Sequence, residues 1–202
     1  TSLAGVTHEP AARLAEALAA RAPRGLSHLF FSDDGSTALE AAIKMAIGYQ
    51  RRAGRPERTR FVALTGAFHG ETLGVTALGG VELFRKLYAG VLMDVHFAAP
   101  PPQVAPADHP AFGALTALIE EHGDRIAAIV LEPVLQGAAG MRLHSASFVA
   151  HARELASAHD ILLIADEVFT GYGRTGPFWA VEHAGVVPDI VCSAKGLSGG
   201  ML

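Results

Sequence analysis

The chain has 202 residues, half of them apolar and 18% charged, which suits one globular domain or part of a larger one. A net charge of −4, with ten histidines counted neutral, leaves no basic face for nucleic acid or an anionic membrane. The single cysteine, Cys192, excludes an intramolecular disulfide, and no apolar run is long enough to span a membrane.

The opening TSLAGVTHEP has neither the basic n-region nor the apolar h-region of a secretory signal, and no initiator methionine. The end, KGLSGGML, stops in a Gly-rich turn after an apolar strand, so the chain reads as a piece of a longer one. THEPAARLAEALAARAP (7–23) sets Leu14, Ala17 and Leu18 on one face and predicts a helix ended by Pro23. LSHLFFS (26–32) predicts a short strand. GSTALEAAIKMAIGYQRRAG (35–54) carries a stripe of Leu39, Ile43, Ala46 and Ile47 and predicts a helix stopped by Gly54. RFVALTG (60–66) predicts a strand, GETLGVTALGG is broken by glycines, and VELFRKLYAG (81–90) predicts a short helix. DVHFAAPPPQVAPADHP (94–110), with five prolines, reads as an extended surface connection inside the domain. HPAFGALTALIEEHGD (109–124) predicts a helix, RIAAIVLEP (125–133) a strand buried on both faces, and SASFVAHARELASAHD (145–160) a helix capped by serine. ILLIADEV (161–168) and PDIVCSAKG (188–196) predict two more strands, with GYGRTG and the helical FWAVEHAG between them. Strands alternating with helices give an α/β fold, a mostly parallel sheet with helices on both faces. No internal repeat or low-complexity tract interrupts it.

In such sheets ligands bind beyond the carboxyl ends of the strands. DDGSTALE (33–40) opens a long helix with Gly35, Ser36 and Thr37, whose amides could hold a phosphate; equally, Ser36 with Glu40 reads as an ordinary cap. GAFHGET (66–72) sets Phe68 and His69 between glycines, either as an aromatic platform with a histidine beside it or as core and turn. No second ligand-spaced His or Cys lies near His69, so no metal is expected. Gln136 and Gly137 follow the strand 125–133, which itself carries Glu132 near its end. Asp166 closes a buried strand, where an unpaired carboxylate is costly; a helix cap or an ion pair with Arg174 would also explain it. Glu167 beside it reads as structural, paired with a neighbouring positive group. Lys195, among small residues at a strand end, is either a desolvated Schiff-base nucleophile or a snorkelling surface lysine.

Taken together, these residues supply an amine, an anion, a stacking face and a phosphate cup on one sheet edge. Pyridoxal 5'-phosphate (PLP) requires those four parts. Asp166 would face the pyridinium nitrogen and keep it protonated.

LLIADEVFTGYGRTG and PDIVCSAKGLSGG, which run from Leu162 to Gly200, resemble the long signature of the class III aminotransferases among the fold-type I PLP enzymes. SDDGSTALEAAIKMA and GAFHGETLG extend the resemblance over essentially the whole chain. It implies that residues 1–202 are the PLP-binding large domain, without the N-terminal segment and the C-terminal small domain of the family. It implies a PLP-dependent transaminase acting on small molecules, a cytoplasmic homodimer in the full-length protein. Its implied roles give Lys195 the cofactor aldehyde and the proton transfer, and give Asp166 the pyridine nitrogen. Phe68 and Val168 pack on the two ring faces, His69 lies beside the cofactor, and Gly35 and Ser36 bind the phosphate. Glu132 and Gln136 line the pocket. EPVLQG (132–137) has one residue more than the ornithine and aminobutyrate members between Glu-Pro and Gln-Gly, which favours the biotin-synthesis branch. Against that branch, Phe169 stands at a usually small position, Tyr172 at a usual Phe and Phe68 at a usual Tyr. The alternatives are an ω-amino-acid aminotransferase or aminomutase of the same family, and a non-catalytic phosphate-binding α/β module. The last would keep its ligand in Lys195→Ala.

Overall fold

The computed structural model describes residues 7–199 and 201. The first residues, read above for a leader, and Gly200, where the signature ends, lie outside the described residues. The strands are β1 (Arg60–Leu64), β2 (Val95–Ala98), β3 (Ile126–Leu131), a hairpin of β4 (Leu135–Gln136) and β5 (Arg142–Leu143), then β6 (Leu162–Asp166) and β7 (Ile190–Cys192). The main sheet has the order β2-β1-β3-β6-β7, and every neighbouring pair is parallel. The helices are α1 (Glu9–Ala19), α2 (Gly35–Arg52), α3 (Leu73–Leu78), α4 (Glu82–Arg85), α5 (Pro110–His122) and α6 (Ala146–Ala158).

Both sheet faces are covered, and the alternation along each strand shows how. Val62, Leu64, Ile129, Leu131 and Leu163 turn to one side and pack with Leu115 and Ile119 of α5 and Phe148, Val149 and Ala152 of α6. Phe61, Ala63, Ala128, Val130 and Ile164 turn to the other and pack with Leu39, Ala42, Ile43 and Ala46 of α2 and Val75 and Leu78 of α3. Every residue of β3 is buried. That is why IAAIVL reads as a continuous apolar run with no polar alternation. Each buried branched side chain there contributes roughly 1.5–3 kcal/mol.

The segment 26–32 is not a strand. Its apolar side chains stay open, Phe30 to 65%. No described strand runs beside it, and strand pairing needs a neighbour whatever the local composition. The helix α1 forms, but none of its residues is buried, so the predicted Leu14–Ala17–Leu18 face finds no core. Residues 95–98, read as connection, form β2, in register with β1 from Phe61 opposite Val95 to Leu64 opposite Ala98. The proline run begins only at Pro100, beyond the paired residues. The glycine-broken stretch contains α3, and FWAVEHAG holds a 3-10 helix, Ala180–Ala184. At the start of α6 the Ser145 hydroxyl pairs with the Ser147 hydroxyl and makes no cap bond to the backbone. Among the described residues no helix is long and apolar enough to cross a membrane.

From β1 the chain passes to β2 on one side of it, then to β3 on the other. The order therefore reverses between β1 and β3, and the loops after those two strands flank a crevice at the carboxyl edge.

Candidate active site

A cavity of about 970 Å³ lies at that carboxyl edge. Its lining includes Gly35, Ser36, Phe68, His69, Glu132, Asp166, Val168 and Lys195, residues from five separate stretches of chain. Gln136 is not among the lining residues. It is fully buried beneath the loop after β1, its side-chain amide donating to the Thr65 carbonyl at 3.1 Å. Gly137, the next residue, reaches the cavity in its place.

The phosphate-cup candidate is the start of α2. Its cap is Asp34, not Ser36: the Asp34 carboxylate accepts from the Thr37 amide at 2.8 Å, and the Thr37 hydroxyl accepts from the Asp34 amide at 2.9 Å. The first two helical amides, those of Gly35 and Ser36, are left without an intrahelical acceptor, at the positive end of an 18-residue helix. Glu40, the expected capping partner, instead accepts from the Thr72 hydroxyl at 2.6 Å and the Gly74 amide at 2.8 Å, so it caps α3 and ties it to α2. Two glycines bring the walls together. A Cβ on Gly35 would lie 2.8 Å from Val168, and a Cβ on Gly70, at φ 122°, would lie 2.7 Å from the Ser36 Cβ.

The Asp166 carboxylate is 3% exposed and uses both oxygens. Oδ1 accepts from the Val168 amide at 3.0 Å and Oδ2 from His69 Nδ1 at 2.7 Å. The anticipated partner Arg174 is elsewhere, its guanidinium 4.5 Å above the Phe169 ring. His69 therefore backs Asp166. Burial disfavours charge on its ring, but the hydrogen bond to Asp166 and the charges of Asp166 and Glu132 outweigh it and raise the His69 pKa. Its Nε2 is buried with no hydrogen-bond partner.

Glu132 is 3% exposed at the end of β3. Its carboxylate accepts the Phe68 amide at 3.2 Å and the Gly137 amide at 3.1 Å. Burial pushes its pKa up to about 7, the His69 charge opposing and Asp166 adding to the rise. Among the described residues Glu167 pairs with no positive group. It is fully buried, accepts from the Thr170 hydroxyl, and accepts from the Val181 amide at 2.9 Å, so it caps the 3-10 helix Ala180–Ala184. Burial raises its pKa as well.

Lys195 begins a 3-10 turn, Lys195–Ser198, at φ 32°, an unfavourable conformation for a residue with a Cβ. The turn is held from below: the Tyr172 hydroxyl meets the Ser193 hydroxyl at 2.8 Å, and a Cβ on Gly196 would lie 2.8 Å from the Tyr172 ring. Lys195 is exposed, so the described residues do not supply the desolvation expected for it. Its amine lies 5.9 Å from the centre of the Phe169 ring.

Three further contributors lie outside the strand-end residues. Phe169 lines the cavity against Gly137, 3.1 Å from where its Cβ would be. Val134, β-branched, sits at φ 55°, held by the His144 amide on its carbonyl at 2.9 Å. The unpaired segment 26–34 forms a cavity wall, and Trp179 donates to the Arg21 carbonyl at 2.6 Å just before it. A run of aromatics in a segment with no polar alternation was the available signal for that wall.

The Aminotransferase class-III family model matches residues 1–202. A curated relative from Mycobacterium leprae (strain TN), named adenosylmethionine-8-amino-7-oxononanoate aminotransferase, is 43% identical over 98% of this chain and 45% of its own length. The crystal structure of the enzyme of that name from Methanocaldococcus jannaschii DSM 2661 matches with a TM-score of 0.91 at 33% identity, over 100% of this chain and 46% of that one. An amine transaminase from an uncultivated Pseudomonas species, solved in a PLP-bound form, matches with a TM-score of 0.84 at 36% identity, over 100% of this chain and 48% of that one. The chain spans about half the length of the curated relatives it matches. The parallel sheet covered on both faces is the fold-type I arrangement that the signature implied. With the family match running from the first residue to the last, this chain belongs to the class III aminotransferases.

Proposed function

We propose that residues 1–202 form the PLP-binding large domain, in part, of a PLP-dependent aminotransferase. The whole enzyme would transfer the amino group of S-adenosylmethionine to 8-amino-7-oxononanoate, giving 7,8-diaminononanoate in biotin synthesis. The observation that carries the cofactor reading is Asp166. A buried carboxylate, pinned by Val168 and His69, lines the same cavity as the strand-end lysine Lys195 and the open amides of α2. The substrate reading rests on the curated relatives named for that reaction, at 35–43% identity, and on the length of EPVLQG.

The residues present fit PLP. The glycines at 35 and 70 leave a cradle at the helix start that a Cβ would fill. When bound, PLP supplies an aldehyde for amine condensation and a ring that withdraws electrons from the substrate carbon. Gly35 and Ser36 hold the phosphate by backbone amides. Asp166 would face the ring nitrogen and hold a proton there. His69 keeps Asp166 oriented and donates to it from Nδ1. Phe68 and Val168 pack on the two ring faces. Lys195 would hold the cofactor through its amine, and its Nζ would be the group that moves a proton at the site. The same reading makes the whole enzyme a cytoplasmic homodimer acting on small molecules.

Phe169 favours a second reading, an amine or ω-amino-acid transaminase. Its ring occupies cavity wall beside the Lys195 amine, where the biotin-synthesis branch is usually small. The test is intact mass and peptide mapping after PLP and borohydride, on this chain and on a full-length protein. A reduced adduct on Lys195, lost in Lys195→Ala, is expected. No adduct in either protein refutes the cofactor reading. Donor screening then separates the two substrates: S-adenosylmethionine consumed with formation of diaminononanoate is expected, and turnover only with simple amines refutes it.

A further inference from the structure

The loops after β1 and β3 sit on either side of the point where the strand order reverses. Such a crevice has no sheet hydrogen bonds across its mouth, so something else must set its width. Phe68 stands in one loop and Gly137 in the other. Glu132 accepts an amide from each, Phe68 on Oε2 and Gly137 on Oε1. It is the only carboxylate among the described residues that bridges these two loops by backbone bonds.

The second loop is bent to make this possible. Val134 takes φ 55°, which a β-branched residue adopts only when its surroundings impose it. His144 imposes it twice, by its amide on the Val134 carbonyl at 2.9 Å and by Nε2 on the Glu132 carbonyl at 2.8 Å. The bend turns the chain back so that the Gly137 amide meets the Glu132 side chain. On the far side, Phe68 packs edge-on to Phe84 at 5.6 Å between ring centres, so moving its backbone tilts its ring.

We propose that Glu132 is a positioning residue: its carboxyl clamps the Phe68 loop to the Gly137 loop and thereby sets the ring platform at the distance the cofactor needs. This rests on the cofactor reading above. Glu132 need not touch cofactor or substrate to act. A buried charge beside Asp166 is unfavourable for stability, which argues for a role in the site over one in the fold.

The experiment uses the full-length enzyme and its Glu132→Gln variant. Glutamine keeps the shape and one acceptor but presents an NH₂ to the second amide, so one of the two loops is released. PLP affinity is read by titration, the ring's setting by circular dichroism in the cofactor absorption band, and apo stability by urea unfolding. The expected result is PLP binding weakened about tenfold, the worth of one lost hydrogen bond to a charged group. A reduced dichroic band and an apo protein no less stable than wild type at pH 8 should accompany it. A purely structural residue would lower stability and leave the dichroic band of the bound fraction unchanged. Wild-type affinity and dichroism in the variant overturn the proposal. If the variant does not fold, amide exchange on the wild-type enzyme decides. The clamp requires Phe68 and Gly137 both to be protected, and free exchange at either overturns it. Failure of wild type to form a Lys195 adduct would instead overturn the cofactor reading, a separate outcome.

Discussion

Glu132→Gln also makes a quantitative prediction about stability and pH. Glu132 has an ordinary pKa of 4.5 and reaches about 7 in the fold, chiefly through burial. Between those values the folded protein binds more protons at this site than the unfolded chain. Stability therefore falls as pH rises through the interval, by about 3 kcal/mol at 1.36 kcal/mol per pKa unit. Glutamine is neutral throughout and escapes that loss. It sacrifices one of the two backbone bonds, costing about 1 kcal/mol. The apo variant should thus be less stable than wild type by about 1 kcal/mol near pH 4.5 and more stable by about 2 kcal/mol at pH 8. The raised pKa of His69 adds stability that is full below 6.5 and lost as pH rises through its folded value. That slope has the same sign and occurs in both proteins, somewhat smaller in the variant because the Glu132 charge helps to raise His69. Urea unfolding of both apo proteins at the two pH values measures the crossing. Stability curves that run parallel, with one constant offset at both pH values, would refute the buried-charge reasoning.

Gly70→Ala should destabilise the protein by about 2 kcal/mol or more and weaken PLP binding, because φ 122° is unsuited to alanine and its Cβ would press on Ser36 at the helix start. Urea unfolding and PLP titration check it, and wild-type values in both would contradict the cradle geometry. Gln50→Ala tests the opposite end of the sheet. The buried Gln50 amide donates to the Ala127 carbonyl at 3.2 Å and the Asp160 carbonyl at 2.9 Å, and accepts from Arg55 at 2.8 Å. A loss of about 2–3 kcal/mol is expected with PLP affinity unchanged. A change under about 0.5 kcal/mol would show that water replaces these bonds readily.

Much of this layout was legible in the residues. The strands β3, β6 and β7 and the helices α2, α5 and α6 carry their own period or run of apolar residues, and each formed within a few residues of its expected bounds. Strand ends follow from strand positions in a parallel sheet, so Asp166 and Lys195 could be placed on one edge without knowing the strand order. The residues that failed to declare themselves depend on neighbours. The segment 26–32 has strand composition but no strand to pair with, and 95–98 has a partner that composition did not reveal. Ser36 looked like the cap, yet Asp34 holds the bond to Thr37, which frees the two amides that a phosphate would need.

The sequence by itself determined the alternation of helix and strand, the family, and which chemical groups lie at the strand ends. Those depend on local period and on residue order. Only the tertiary structure decided that His69 backs Asp166, that Glu167 caps a 3-10 helix, that Gln136 lies under the cavity wall, and that Glu132 joins two loops. The bonds of His69 to Asp166, Gln136 to Thr65 and Phe68 to Glu132 join chain segments brought together by strand order, a property of the packed sheet, and the others depend on how the loops between strands fold back.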